Sequence, residues 1–237
     1  MFNPAWLTPV PEEAMKRGDG DFIAKFADAF GTITKDSVAG LTGTPLILRD
    51  WQKEMLRHVF ARDEDGGLRQ RVNLLGLPRK NGKSAIGSLI AAFALVDPKA
   101  DAPRHEGLSP TLVLFDELHA QPSRDLFDVM SLAQGARGKM ATMIAITTAG
   151  VKTESRTGKD SIAYTLYQYG QQIARGEKVD PTFFMAWWEA PAEADYRDVE
   201  TWKQANPGYG DICDADDFAS AVLRTPEAEF RTKRCNQ

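Results

Sequence analysis

The stretch RVNLLGLPRKNGKS, Arg71 to Ser84, runs from a short apolar segment into a turn rich in glycine and basic residues, and from there into SAIGSLIAAFALV, Ser84 to Val96. Arg71 to Leu75 reads as a strand and Ser84 to Val96 as a buried helix. A strand that enters a helix through a Gly-Lys-Ser tip aims backbone N–H groups at the space ahead of the helix. That geometry holds an anion.

The residue types suit a nucleotide phosphate. Lys83 reaches the β- and γ-phosphates as a point charge, and the Ser84 hydroxyl is a Mg²⁺ ligand. Gly82 lets the backbone come close with no side chain in the way. Gly76, Arg79, Lys80 and Asn81 complete the candidate loop. The usual G-x-x-x-x-G-K-S spacing wants glycine at Leu77, whereas the glycine stands one residue earlier at Gly76. A basic turn ahead of a core helix is the plainer alternative.

TLVLFDE, Thr111 to Glu117, supplies what such a loop needs: an apolar strand ending in two carboxylates, at the end of an open α/β sheet where ligands sit. Asp116 is placed as the Mg²⁺-holding residue and Glu117 as the base for the attacking water. Taken alone, Asp-Glu after a strand is equally a solvated turn or a helix cap. The next strand, Met140 to Thr147, runs into Thr147, Thr148, Ala149 and Gly150, whose hydroxyls either sense the γ-phosphate or cap the strand. Upstream, RDWQKEMLRHVFA, Arg49 to Ala61, puts Trp51, Met55, Leu56, Val59 and Phe60 on one helical stripe. Gln52 at its start can pair both edges of adenine, and Trp51 is either core or an aromatic wall.

Strands alternating with helices define an α/β sheet flanked by helices. Further helices are expected over Ser123 to Gln134 and Ser161 to Arg175, a strand over Thr182 to Trp188, and helices over Val199 to Ala205, Asp214 to Leu223 and Glu227 to Cys235. Pro4, Pro9 and Pro11 make the start irregular. After them Phe22, Ile23, Phe26 and Phe30 recur at helical spacing behind Asp21 as a candidate cap.

Composition sets outer bounds. The 237 residues carry 29 basic and 33 acidic side chains, a formal charge of −4, so no global positive field marks a dedicated nucleic-acid binder. Any DNA contact must be local, transient or supplied by other subunits. Cys213 and Cys235 lack metal-ligand spacing and read as reduced thiols of an intracellular protein. The longest apolar run, Ala85 to Val96, is too short to span a bilayer, and no signal core opens the chain.

In this order, the WQ pair at Trp51, PRKNGKS, LVLFDELHA and ITTAG resemble the ATPase domain of tailed-bacteriophage terminase large subunits. The later SIAYTLY at Ser161, Phe183-Phe184, Trp202 with Asn206-Pro207, and the final FRTKRCNQ from Phe230 extend the likeness from about Pro45 onward. The resemblance implies an ASCE-type P-loop NTPase with a mostly parallel sheet and a mostly helical C-terminal appendage. It divides the chain into a lead-in at 1–44, an ATPase core at 45–190 and a helical subdomain at 191–237.

The same resemblance assigns ATP and Mg²⁺ to Lys83, Ser84, Asp116 and Glu117, coupling to Thr147 and Thr148, and adenine to Gln52. It makes Arg79 a nucleotide sensor or a contact to a neighbouring subunit. Implied partners are a portal protein, a small terminase subunit and further copies in a ring, in the cytoplasm of an infected bacterium.

Two departures stand out. Asp116 follows Lys83 by only 33 residues, where terminases have further strands and helices, which puts a seam near Pro98 to Gly107. On this reading the strand ending at Leu75 lies directly beside the one ending at Asp116. The family's nuclease domain would follow Gln237, and Asp214, Asp216 and Asp217 suit a helix N-terminus better than a metal site, so no DNA cleavage is expected. The competing functions are a shortened domain that binds nucleotide or partners without turnover, and a helicase-like ATPase, for which no additional motif is found.

Overall fold

The structure, a computed structural model, describes residues 2–96, 110–154 and 158–237. Among these residues the strands are β1 (Trp6–Leu7), β2 (Val72–Gly76), β3 (Leu112–Asp116), β4 (Thr142–Thr147) and β5 (Phe183–Trp187). The helices are α1 (Glu12–Arg17), α2 (Gly20–Phe30), α3 (Asp50–Val59), α4 (Lys83–Val96), α5 (Asp125–Ala133), α6 (Ile162–Ala174), α7 (Val199–Ala205), α8 (Ala215–Arg224) and α9 (Glu227–Arg234). One sheet, in the order β1-β5-β2-β4-β3, is parallel throughout except at β1, which pairs antiparallel with β5.

Side chains that alternate along each strand divide the core in two. Leu75, Ile144, Ile146, Phe184 and Ala186 face one layer, which they share with Trp51, Met55, Leu56 and Val59 of α3 and Ile86, Leu89 and Ile90 of α4. Leu74, Met143, Ala145, Phe183 and Met185 face the other, with Phe127 of α5 and Ile162 and Ile173 of α6. Because both faces are covered, the central strands are chiefly apolar, and the buried Asn73 within β2 donates to Thr142 Oγ1 at 2.9 Å. Each buried Leu, Ile or Met contributes roughly 1.5–3 kcal/mol relative to exposure.

The start of the chain is more ordered than its prolines imply. β1 extends the sheet, and α1 follows Pro11. In α2 the buried stripe is Ile23, Ala24 and Ala27, whereas Phe22 and Phe30 are exposed. Asp19 stands at the N-cap, and Asp21 pairs with Arg57 of α3 at 2.6 Å. α2 lies so close on α3 that a Cβ at Gly20 would meet Arg57 Cα at 2.5 Å.

The expected adjacency of the strands ending at Leu75 and Asp116 does not occur. β4 lies between them, so β2 pairs with β4 and β5, and β3 pairs with β4 alone among the described residues. The connection from β2 through α4 therefore crosses over β4, and α4 packs on β3 and β4. The proposed seam at Pro98 to Gly107 falls outside the described residues.

Helices α7 to α9 enclose their own apolar cluster of Tyr196, Trp202, Phe218 and Phe230 with both cysteines. Cys213 and Cys235 are free and buried, and burial pushes their thiols up to about 12 and about 11. Asp214 caps α8 by accepting the Asp216 N–H at 2.9 Å, and Asp217 pairs with Arg234 at 2.5 Å. No helix among the described residues is long and apolar enough to cross a membrane.

Candidate functional site

Register brings the chemistry to one end of the sheet. Gly76, the last residue of β2, is level with Thr147 of β4 and Trp187 of β5, and Asp116 of β3 is level with Ile146. Beyond these ends the backbone stays in step, with Leu77 N–H donating to Thr147 O at 2.9 Å and Glu117 N–H to Ile146 O at 2.8 Å. Over this rim α4 begins. It carries Ser84 across β4, where the hydroxyl donates to Asp116 Oδ2 at 3.2 Å. The helix crossing, rather than strand adjacency, joins the two motifs.

Lys83 is buried, and its ammonium donates to Thr148 Oγ1 at 2.7 Å and to the carbonyls of Leu77 and Pro78 at 3.2 Å each. Glu117 Oε1 lies 3.8 Å away. Burial lowers the lysine's proton affinity, and the carboxylates of Glu117 and Asp116 oppose that shift. Ser84 and Asp116 are exposed, so the rim is open to solvent where Lys83 is not.

Glu117 has φ 56°, a left-handed backbone unusual for a residue with a side chain. His119, two residues on, lies between this glutamate and Thr147. Its Nδ1 is 3.1 Å from Glu117 Oε2 and 3.0 Å from Thr147 Oγ1, and its backbone N–H donates to the same hydroxyl at 3.0 Å. Thr147 in turn donates to Thr148 O at 3.1 Å. Burial lowers the imidazole's proton affinity, and the Glu117 carboxylate opposes that shift. A Cβ on Gly150 would meet His119 Cβ at 2.6 Å, which explains glycine there.

The loop residues divide. Gly82 has φ 74° and Lys80 φ 76°, so the chain makes a left-handed turn at both. Arg79 and Lys80 are exposed. Leu77, at the position where glycine is usual, is fully buried in the α3–α4 layer. Gly76 is glycine for a different reason: a Cβ would lie 1.9 Å from Trp187 Cε3. The Asn81 side chain is buried and turned away from the rim, donating to Asn206 Oδ1 at 2.8 Å and accepting from Gly208 N–H at 3.1 Å. Its backbone remains part of the loop.

Gln52 comes to the same place, its Nε2 beside Gly82, while its Oε1 accepts the Arg49 N–H at 2.8 Å. Trp51 is core, stacked edge-on against Trp188 at 5.6 Å. The structure therefore brings Gln52, Lys83, Ser84, Asp116, Glu117, Thr147 and Thr148 to the same end of the sheet. It adds His119 and, from the appendage, Asn206 and Asn236. The only sequence signal for His119 was its place two residues after Glu117, and the asparagines stood merely as matched letters.

A mostly parallel sheet flanked by helices, with a loop-to-helix turn at the end of a central strand, is an open α/β fold of the kind that binds ligands at this rim. Among solved structures the chain is similar to the large terminase of bacteriophage HK97, with a TM-score of 0.60 and 20% sequence identity over 93% of this chain and 55% of that one. At this identity the likeness establishes a terminase-like fold, and the chain spans about half the length of that terminase. No protein-family model matches, and neither does any curated protein.

Proposed function

We propose that this chain is an ATP hydrolase, the motor domain of a terminase-like machine that packages double-stranded DNA. The observation that carries the reading is the Ser84–Asp116 hydrogen bond of 3.2 Å formed across β4, with Lys83 and Glu117 3.8 Å apart beside it. A hydroxyl and a carboxylate, both oxygen donors and both open to solvent, suit a small hard cation such as Mg²⁺. When bound, Mg²⁺ neutralises charge on the β- and γ-phosphate oxygens.

The chain's own residues do the rest. Lys83 exchanges its carbonyl and Thr148 partners for phosphate oxygens, and Glu117 takes the proton of the attacking water. Thr147 and Thr148 register the loss of the γ-phosphate, which reaches Glu117 through His119. Gln52 reads adenine from beside Gly82, and the exposed Arg79 faces the γ-phosphate or a neighbouring copy in a ring. DNA contact is local and non-sequence-specific, in keeping with the −4 charge. A portal protein and a small terminase subunit are the partners, and the bacterial cytoplasm is the setting.

Phosphate release from ATP with Mg²⁺ by the purified chain tests this. Glu117→Gln should cut kcat by about 10²–10⁴-fold while leaving nucleotide bound. A chain that binds ATP but never releases phosphate would instead support a shortened nucleotide-holding domain. That second reading is favoured by β3, a sheet edge among the described residues, beside α5 with Leu126, Val129 and Leu132 exposed.

A further inference from the structure

Asn206-Pro207 and the terminal Cys235-Asn236-Gln237 have no part in the proposed chemistry, yet both asparagines are buried and each grips a loop at the rim. Asn206 is 2% exposed and bonds both through its oxygen and through its amide nitrogen. Its Oδ1 accepts from Asn81 Nδ2 at 2.8 Å, and its Nδ2 donates to Trp202 O and Arg234 O at 2.8 Å each. One residue thereby ties α7, α9 and the loop between β2 and α4 together. Only an amide of this length offers one acceptor and two donors in that arrangement.

Asn236 is 1% exposed and has φ 60°, a left-handed conformation that asparagine tolerates better than most side chains. Its Oδ1 accepts the Ala149 N–H at 2.5 Å, and its Nδ2 donates to Trp188 O at 2.7 Å. It thus bridges the residues just beyond β4 and β5, on either side of the β2 loop. Further contacts run the same way: Arg79 N–H donates to Lys233 O at 2.9 Å, Cys213 Sγ lies 3.4 Å from Lys80 O, and Arg49 pairs with Asp211 at 2.5 Å.

We infer that Asn206 and Asn236 are positioning residues with separate tasks. Asn206, through Asn81, sets the loop of residues 76–84, and Asn236 sets the Thr148-Ala149 turn that faces Lys83. The kinetic part of this inference rests on the proposed ATPase reading; the positioning part does not. A loop held in its binding shape loses less freedom when it takes a ligand, so release of Asn81 weakens nucleotide binding. The Ala149 turn carries the hydroxyl bonded to Lys83, so its release acts on turnover.

The test is amide hydrogen exchange of the full chain, alone and with ATP and Mg²⁺, beside nucleotide affinity and turnover. Asn206→Ala should speed exchange within 76–84 and weaken ATP binding by about 10-fold. Asn236→Ala should speed exchange at Ala149 and lower kcat by about 10-fold, with affinity unchanged. The double variant Asn81→Ala with Asn206→Ala should be no worse at the loop than either alone.

Unchanged exchange at both loops overturns the inference, as does an equal loss of affinity and turnover in both variants. If Asn206→Ala loosens the appendage as a whole, Asn81→Ala decides, because it breaks the same bond from the loop side; unchanged exchange there overturns the assignment. A wild-type chain with neither ATP binding nor phosphate release sinks the ATPase reading, while exchange in the absence of nucleotide still decides the positioning roles.

Discussion

Lys83 is a buried cation whose partners are two carbonyls and a threonine hydroxyl, with Glu117 at ion-pair distance. On the proposed ATPase reading, Lys83→Ala removes the charge assigned to the phosphates and should abolish ATP binding as measured by calorimetry. His119 acts one step back. Its Nδ1 lies 3.0 Å from Thr147 Oγ1 and 3.1 Å from Glu117 Oε2, so on the ATPase reading His119→Ala should lower kcat by about 10–100-fold with KM nearly unchanged. His119→Asn, whose amide nitrogen takes the place of Nδ1, should restore much of the loss. Gly76 faces a packing demand instead. A methyl group there collides with the Trp187 ring, so Gly76→Ala should destabilise the fold by about 3 kcal/mol in urea unfolding.

At the scale of elements, the two-residue β1 is held by more than its ladder. Glu189 accepts from Trp6 Nε1 at 2.6 Å, from Trp187 Nε1 at 2.9 Å and from Tyr167 Oη at 2.8 Å, joining β1, β5 and α6. Burial raises the proton affinity of Glu189, while the three donors oppose the shift. Glu189→Ala would strand those donors and should cost about 3 kcal/mol, read as a fall in denaturation midpoint. α3 carries a pH dependence of its own. His58 lies between the rings of Phe2 and Phe184 at 5.0 and 5.4 Å, and burial pushes its proton affinity below the ordinary 6.5. The unfolded chain therefore binds the extra proton first. The stability this provides is complete above 6.5 and is lost as pH falls through the lower folded value. Thermal midpoints should drop on acidification in the wild type, and less steeply in His58→Gln.

For the whole molecule, the Asn81–Asn206 and Ala149–Asn236 bonds join sheet, loop and appendage, so a ligand at the rim should stabilise all three. ATP with Mg²⁺ at about 100 times its Kd should add roughly 2.7 kcal/mol, seen as a raised thermal midpoint. Lys83→Ala should erase that gain. The crossing of α4 over β4 also explains how a step of 33 residues from Lys83 to Asp116 still brings Ser84 to the carboxylate.

Local patterns in the chain were enough to determine its α/β class, the apolar runs of β2 to β5, the stripe of α3, and the Lys83–Ser84 and Asp116–Glu117 pairs. Each depends on neighbours within a few residues, and periodicity records such neighbours. Strand order, the pairing of β1, the packing role of Gly76 and the inward turn of Asn81 were decided by tertiary structure alone. They depend on Trp187, β4, Asn206 and Gly208, groups distant in sequence, and one chain read by itself does not say which distant residue fills which space. His119 lies between the two cases. Its letter stood beside Glu117 from the outset, but its function came from Thr147, which reaches it from another strand.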